Sequence, residues 1–245
     1  MPYENRQPIP VPCRPMSAPT SSSLDPMTLA EELADRAAQG KTTLPKDTQD
    51  MYQRALAALE ESGIAERALH EGDTAPDFEL PDAVGETVRL SDQLSSGPVI
   101  LSFYRGQWCP FCNLELRALQ RAMADIEAVG ATLLAVSPNA PDTSLTTVEK
   151  HALTFPVLSD HDNLVAKQFN LVYEMTEENI ENYRDKGRDI PAMNGVDKWE
   201  LPIPATYVID SDRVIRYAYV DVNHRRRAEP SEIVAAAARL EAPRS

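Results

Sequence analysis

The sequence predicts an α/β fold: a mixed central sheet with helices on both faces. Three observations predict it. Beyond residue 72, stretches with strand character alternate with stretches of helical period, which implies right-handed crossovers and a largely parallel sheet. The central strand candidates are apolar at consecutive positions, as strands buried on both faces are. Near the C-terminus two strand-like runs are separated only by Ser211-Asp212, the mark of a β-hairpin that adds antiparallel strands.

In chain order, residues 1–23 hold six prolines and a Ser-Ala-Pro-Thr-Ser-Ser-Ser run and read as a disordered tail. Asp25-Pro26 has the form of a helix start, N-cap followed by proline at the first helical position. A helix is expected over 27–39, with Leu29 and Leu33 on one face and Gly40 as its stop. A second runs over 45–59, with Met51, Tyr52, Leu56 and Leu59 at helical intervals, and a short third piece over 64–69. Residues 24–70 thus form a helical N-terminal extension that either caps the core or mediates dimerisation. The core domain, 71–245, opens at Gly72, with a strand at 85–90 and a turn of helix at 91–94.

The run Pro98-Val-Ile-Leu-Ser-Phe-Tyr104 reads as a buried strand and 113–129 as a helix, its Leu116, Leu119, Met123 and Ile126 at helical spacing. A buried strand follows at 130–137, a helix at 141–152, a short apolar segment at 155–160 and a helix at 163–169. Residues 170–200 are too long and too charged for a plain connection. They read as an inserted helix plus an irregular segment, beside the functional site or at an interface. Strands at 204–210 and 214–220 make the hairpin, and the terminal helix covers 231–240 with Ser231 as N-cap.

Charge and composition narrow the function. A formal net charge of −14 argues against nucleic acid or an anionic membrane as partner, since both need clustered Lys and Arg. The one basic run, Arg225-Arg-Arg227, lies between Asp221 and Glu229 and reads as a solvated surface loop. No stretch approaches the roughly 20 apolar residues of a membrane span, and residues 1–23 lack the apolar centre of a secretory signal. The expected location is therefore the cytoplasm, where thiols stay reduced and a Cys-x-x-Cys reads as reactive, not as a staple. Nine glycines, none in phosphate-loop spacing, imply no organic cofactor.

Cys109 and Cys112 stand where the buried strand turns into a helix. A helix N-terminus offers free N–H groups and a partial positive charge, both of which favour a thiolate. The spacing places the two sulfurs within disulfide reach across one turn, so the pair can cycle between dithiol and disulfide. A structural zinc site would need four ligands. The remaining thiol is Cys13 in the tail, and His70, His151, His161 and His224 lie without ligand spacing, so no metal is expected. Two inert core cysteines are the other alternative; Trp108 and Pro110 beside the pair favour redox chemistry.

Trp108-Cys-Pro-Phe-Cys112, with Pro204 just before a later strand, resembles the thioredoxin superfamily, and more closely its peroxiredoxin branch, the alkyl hydroperoxide reductase and thiol-specific antioxidant family. Further support comes from Gly72-Asp-Thr-Ala-Pro-Asp-Phe78, Leu90-Ser-Asp92, Phe103-Tyr104, Phe155-Pro-Val-Leu-Ser-Asp160 and Ala205-Thr-Tyr-Val-Ile-Asp210. The resemblance covers residues 72–240 and implies a thioredoxin-like fold. Laid on that branch's Pro-x-x-x-Thr-x-x-Cys motif, its Pro falls on Arg105, its Thr on Cys109 and its peroxide-attacking Cys on Cys112. The branch's later active-site Arg falls on or near Pro204. The dithiol is thioredoxin equipment instead, as is Pro204, which in that fold is typically cis and lies opposite the disulfide.

The resemblance implies a thiol-dependent peroxidase acting on hydrogen peroxide or organic hydroperoxides, re-reduced by thioredoxin or a similar donor. A general thiol-disulfide oxidoreductase and a redox-sensing module are the alternatives. In the thioredoxin register Cys109 attacks and Cys112 resolves; in the peroxiredoxin register the roles exchange. Arg105 is a candidate for polarising a peroxide and lowering a thiolate pKa, or else a surface loop residue. Glu115 tunes the pair or is a solvated helix residue, and Trp108 shields the pair or packs in the core.

Overall fold

The computed structural model describes residues 27–240. The expected disordered tail, Cys13 and the Asp25-Pro26 helix start lie outside those residues. Three helices come first: α1 (Leu29–Thr43), α2 (Lys46–Glu61) and α3 (Ile64–Arg67). Thr28 is the N-cap of α1 through a capping box, its Oγ1 accepting from Glu31 N at 3.3 Å while Glu31 Oε2 accepts from Thr28 N at 2.8 Å. Gly40 does not stop α1. The helix runs on until Leu44, which Pro45 forces into extended backbone, and ends there.

The strands β1 (Glu79–Pro81) and β2 (Thr87–Arg89) form an antiparallel ladder, followed by α4 (Leu90–Leu94). Then come β3 (Val99–Phe103), α5 (Pro110–Arg121), α6 (Met123–Ala128), β4 (Thr132–Ser137), α7 (Pro141–His151), β5 (Val157–Ser159) and α8 (Leu164–Gln168). The helix expected as one piece over 113–129 is two, broken at Ala122, whose φ/ψ of −89°/1° leaves the helical region. Residues 170–200 hold more order than expected: β6 (Val172–Glu174), α9 (Glu177–Asp185), α10 (Ile190–Asn194) and β7 (Glu200–Pro202), with β6 and β7 paired antiparallel. The chain closes with β8 (Ala205–Ile209), β9 (Ile215–Val220) and α11 (Pro230–Ala238). The last helix starts one residue earlier than expected, with Glu229 at its N-cap position and Pro230, pre-set at helical φ, at N1.

The five-stranded sheet has the order β5-β4-β3-β8-β9, parallel across β3, β4 and β5 and antiparallel from β3 through β8 to β9. The expected mixed sheet and its hairpin are both present. All residues of β3 and β8 are buried, because alternate side chains enter two different cores. Leu101, Phe103, Leu134 and Tyr207 point to one side, where Phe169 meets Phe103 at a 54° tilt with 4.9 Å between ring centroids. Ile100, Leu133, Ala135 and Val208 point to the other, under Leu116, Leu119 and Ile233 of the covering helices.

Of the N-terminal helices, α1 lies on this second side, while Leu56 and Leu59 of α2 and Ile64 of α3 pack against the first core. Leu29 and Leu33 are buried with α5 residues, and the Glu229 carboxylate accepts from the free N–H groups of Leu29 and Ala30 at 3.3 and 2.6 Å. An anion at a helix N-terminus satisfies its orphan donors. This arrangement packs α1 against the core domain. No helix among the described residues is long and apolar enough to cross a membrane.

Candidate active site

The site begins where β3 leaves the sheet. Tyr104 keeps one ladder-like bond, N to Val136 O at 2.9 Å, and the chain then turns through Arg105-Gly106-Gln107-Trp108. Gly106 sits at φ 134°, in a region that L side chains rarely enter. A Cβ there would stand 2.7 Å from Trp108 Nε1 and 2.9 Å from Asn139 Oδ1. Asn139 holds the turn, its Oδ1 accepting from Gln107 N at 2.9 Å while its Nδ2 donates to Asn194 Oδ1 of α10 at 2.9 Å. Asn113 Nδ2 donates to Gln107 O at 2.9 Å from the helix side. Gly106→Ala is therefore expected to cost about 1–3 kcal/mol of stability, since both backbone strain and a clash must be relieved. Urea unfolding measures it, and an unchanged midpoint would mean that the turn is not held as described.

Cys109 is the N-cap of α5 and Pro110 is its first residue. Both cysteines are buried, with no disulfide between them. Burial pushes the Cys109 thiol up, but the Cys112 thiol, the guanidinium groups of Arg105 and Arg227 and the Cys112 N–H outweigh it and set its pKa to about 5. Burial pushes Cys112 well up, and its contact with the more acidic Cys109 adds to this. Cys109 lines a cavity of about 300 Å³ with Trp108, Phe111, Arg105, Tyr183 and His224.

Arg105 is buried, 5% exposed, which excludes the surface-loop reading. Its Nη2 donates to the hydroxyls of Tyr183 and Tyr173 at 3.3 and 3.4 Å, and its guanidinium lies 4.9 Å over the Trp108 ring. Among the described residues no carboxylate pairs with it. Its charge is left to face the cavity and the sulfurs. Trp108 meets Tyr183 edge to face at 5.3 Å and lines the same cavity as Cys109. Tyr173 comes from β6 and Tyr183 from α9, which puts the 170–200 segment beside the site.

Glu115 is buried, not solvated. Its Oε2 accepts from Arg227 Nε at 2.5 Å, and its Oε1 accepts from Ser102 Oγ at 3.5 Å. Arg227 also donates through Nη2 to Cys112 Sγ at 3.3 Å and through Nη1 to the carbonyls of His224 and Arg226 at 2.7 and 2.6 Å. The expected solvated loop at 225–227 is thereby corrected. Only Arg226 is exposed, with Asp221 at 3.6 Å, while Arg227 turns inward because Glu115, Cys112 and two carbonyls of its own loop satisfy its fork. Burial raises the Glu115 pKa against the pull of Arg227.

His224 was also not singled out from sequence. Its ring meets Phe111 at 5.6 Å, and burial and then the surrounding arginines Arg105, Arg227 and Arg225 hold it well below the usual imidazole range, as the neutral base. Pro204 is buried between β7 and β8, one residue before Ala205, which pairs with Phe103. That register places it at the end of the sheet from which the Cys-bearing turn departs. Its peptide bond is trans, unlike the cis form of the thioredoxin type, in a segment where Ile203 N is tied to Leu171 O at 2.8 Å. Among the described residues no group of three or more His, Cys, Asp or Glu is arranged to hold a metal.

A family model described as the AhpC/TSA family matches residues 72–218. Peroxiredoxin Bcp of Escherichia coli K12 is 35% identical over 103 residues, 42% of this chain, and the match spans 65% of that relative. Putative peroxiredoxin MT2597 of Mycobacterium tuberculosis is 30% identical over 154 residues, 63% of this chain and 87% of the relative. Among solved structures, peroxidoxin BcpB of Mycobacterium tuberculosis superposes with a TM-score of 0.55 at 26% identity, covering 72% of this chain and 99% of that one. The α/β architecture is thus the thioredoxin-like fold of those neighbours.

Proposed function

Because this chain belongs to the AhpC/TSA family, we propose that it is a thiol peroxidase that reduces hydrogen peroxide or organic hydroperoxides through Cys109 and Cys112. The observation that carries the reading is the cavity-lining, acidified Cys109 with buried Arg105 beside it. The Cys109 thiolate attacks the terminal peroxide oxygen and the O–O bond breaks. Arg105, already charged and fixed, stabilises the departing alkoxide, which takes up a proton from solvent and leaves as the alcohol, or as water. Cys109 is now a sulfenic acid. The Cys112 sulfur displaces its hydroxyl, the Cys112 proton and that hydroxyl leave as water, and a Cys109–Cys112 disulfide remains. A dithiol donor, thioredoxin or one like it, returns two electrons and two protons.

Cys109 and Cys112 are the catalytic pair in this reading, and Arg105 acts on the leaving oxygen. Arg227 and Glu115 position Cys112, Trp108 walls the site, and Pro204 has no contact that gives it a part in the chemistry. The acidified N-terminal Cys of a Cys-x-x-Cys also suits protein disulfide exchange. In favour of the first reading, Cys109 lines a cavity of about 300 Å³ walled by residues of α1, α2 and α9, a size that suits a small hydroperoxide.

The test is stopped-flow fluorescence of the reduced protein against hydrogen peroxide, with Trp199→Phe leaving Trp108 as the reporter. With one preorganised cation at the leaving oxygen, oxidation should run roughly a hundredfold or more faster than for a free thiol. The pH profile follows from the acidified thiol. The thiolate fraction, and with it the rate, should be flat between pH 6 and 8 and fall as pH drops through about 5. A free thiol would instead gain about tenfold per pH unit over that range, its pKa being ~8.5. Oxidation at the free-thiol rate would remove the peroxidase reading.

A further inference from the structure

The approach to Cys109 has a charge opposite to that of the chain. The protein carries 38 acidic against 24 basic side chains, yet the cavity that Cys109 lines is bordered by Arg36, Lys41, Lys46, Lys186, Arg188 and Arg225, with Asp50 as the one carboxylate among its lining residues. Asp50 is paired with Lys46. Among the described residues the other five have no ion-pair partner. Arg36, Lys186 and Arg188 lie instead over the rings of Phe111, Tyr52 and Tyr183 at 5.9, 5.5 and 5.7 Å. Stacked cations of this kind are held in place without being neutralised. Three of the six come from α1 and α2 and two from just after α9, outside both the sheet and the helix α5 that carries the thiols.

A second cavity, of about 360 Å³, adjoins the first across Tyr52, Gln53, Arg105, Tyr183, His224 and Arg225, which line both. Its character is different: Leu56, Leu59, Ile64, Val172 and Val222 give it an apolar wall, with Arg67 and Glu174 as the charged groups that it does not share with the first. The pair of cavities therefore presents a cationic vestibule at the sulfur and an aliphatic chamber beside it. A molecule complementary to both has a carboxylate and an apolar body.

We propose that the vestibule binds small carboxylate-bearing molecules with an apolar body, and that the peroxide the site prefers is an organic hydroperoxide of that class. The second clause rests on the peroxidase reading; the first does not. Specificity then comes from the N-terminal extension and the segment after α9, which supply charge around chemistry carried by Cys109.

Octanoate and octan-1-ol separate the two parts of this statement, because they share a body, differ in charge and are not oxidants. In calorimetric titration of the reduced protein at low salt, octanoate should bind roughly tenfold or more tightly than octan-1-ol, the difference one charge-assisted contact makes. Raising the salt to ~0.5 M should narrow the gap, since half-exposed cations are screened. Octanoate should also slow alkylation of Cys109 by uncharged iodoacetamide, which locates the site. The Lys41→Glu/Arg188→Glu variant should lose roughly the same tenfold for octanoate. Equal binding of acid and alcohol, salt-independent binding, or no protection of Cys109 would each overturn the proposal, and these readouts on the unaltered protein do not depend on how the variant folds. Octanoate binding without fast peroxide oxidation would keep the anion site and discard its assignment to a hydroperoxide.

Discussion

Cys109→Ser is expected to lower the rate of oxidation by hydrogen peroxide by about 10³-fold or more, the scale of losing a nucleophile, whereas Cys112→Ser should leave the first oxidation step and stop at a sulfenic acid on Cys109. The assignment follows from three differences between two sulfurs one helical turn apart. Cys109 lines the cavity. Its thiol is brought to about 5 while that of Cys112 is pushed well up. Cys112 receives the Arg227 Nη2 and is not among the residues lining the cavity, so its sulfur is placed to meet Cys109 and not a substrate. Aligned on the Pro-x-x-x-Thr-x-x-Cys motif the order would be the reverse, with Cys112 attacking. Dimedone labelling followed by mass spectrometry of each variant decides the matter. Label on Cys112 in the Cys109→Ser protein, formed at the rate of the unaltered protein, would exchange the roles and leave Cys109 as the resolving thiol.

Much of this arrangement was legible in the sequence, for a physical reason that also marks where legibility ends. A strand buried on both faces is apolar at most positions, so residues 99–103 and 132–137 could be placed without knowing their neighbours. A Cys-x-x-Cys at a strand-to-helix junction likewise carries its own electrostatics. Local backbone rules account for the displaced boundaries: Pro45, not Gly40, ends α1, and Thr28 with Glu31 closes a capping box at its start. Glu115 and Arg227 are different, being 112 residues apart. Nothing local distinguishes Arg227 from Arg226, which is exposed; only the fold of the 223–227 loop turns one inward. The same holds for His224, and for Tyr173 and Tyr183, which meet Arg105 because β6 and α9 fold back over the turn. From the sequence that segment could lie near the site or at an interface, and nothing in it told which side chains reach in.

Arg227→Met should destabilise the reduced protein by about 3–5 kcal/mol, because it leaves the Glu115 carboxylate buried without its counter-charge. For a chain of this length that is a fall in Tm of roughly 6–20 °C. Both side chains of the pair are only 2% exposed, so neither water nor salt can replace what is removed. Glu115→Gln should cost less, since Arg227 keeps two carbonyl acceptors and the Cys112 sulfur. The double variant Arg227→Met/Glu115→Leu should regain much of the loss, as replacing a whole buried pair by apolar groups is often neutral. A double-mutant cycle on urea unfolding then yields a coupling energy that separates pairing from packing. The thiols supply a second readout. Arg227 draws down the pKa of both cysteines, so the alkylation midpoint of Cys109 should rise from about 5 in Arg227→Met and stay raised in the double variant, where stability returns but the cation does not. Stability and midpoint recovering together would mean that Arg227 acts only as a structural brace; stability alone recovering identifies it as a group that sets the acidity of the dithiol.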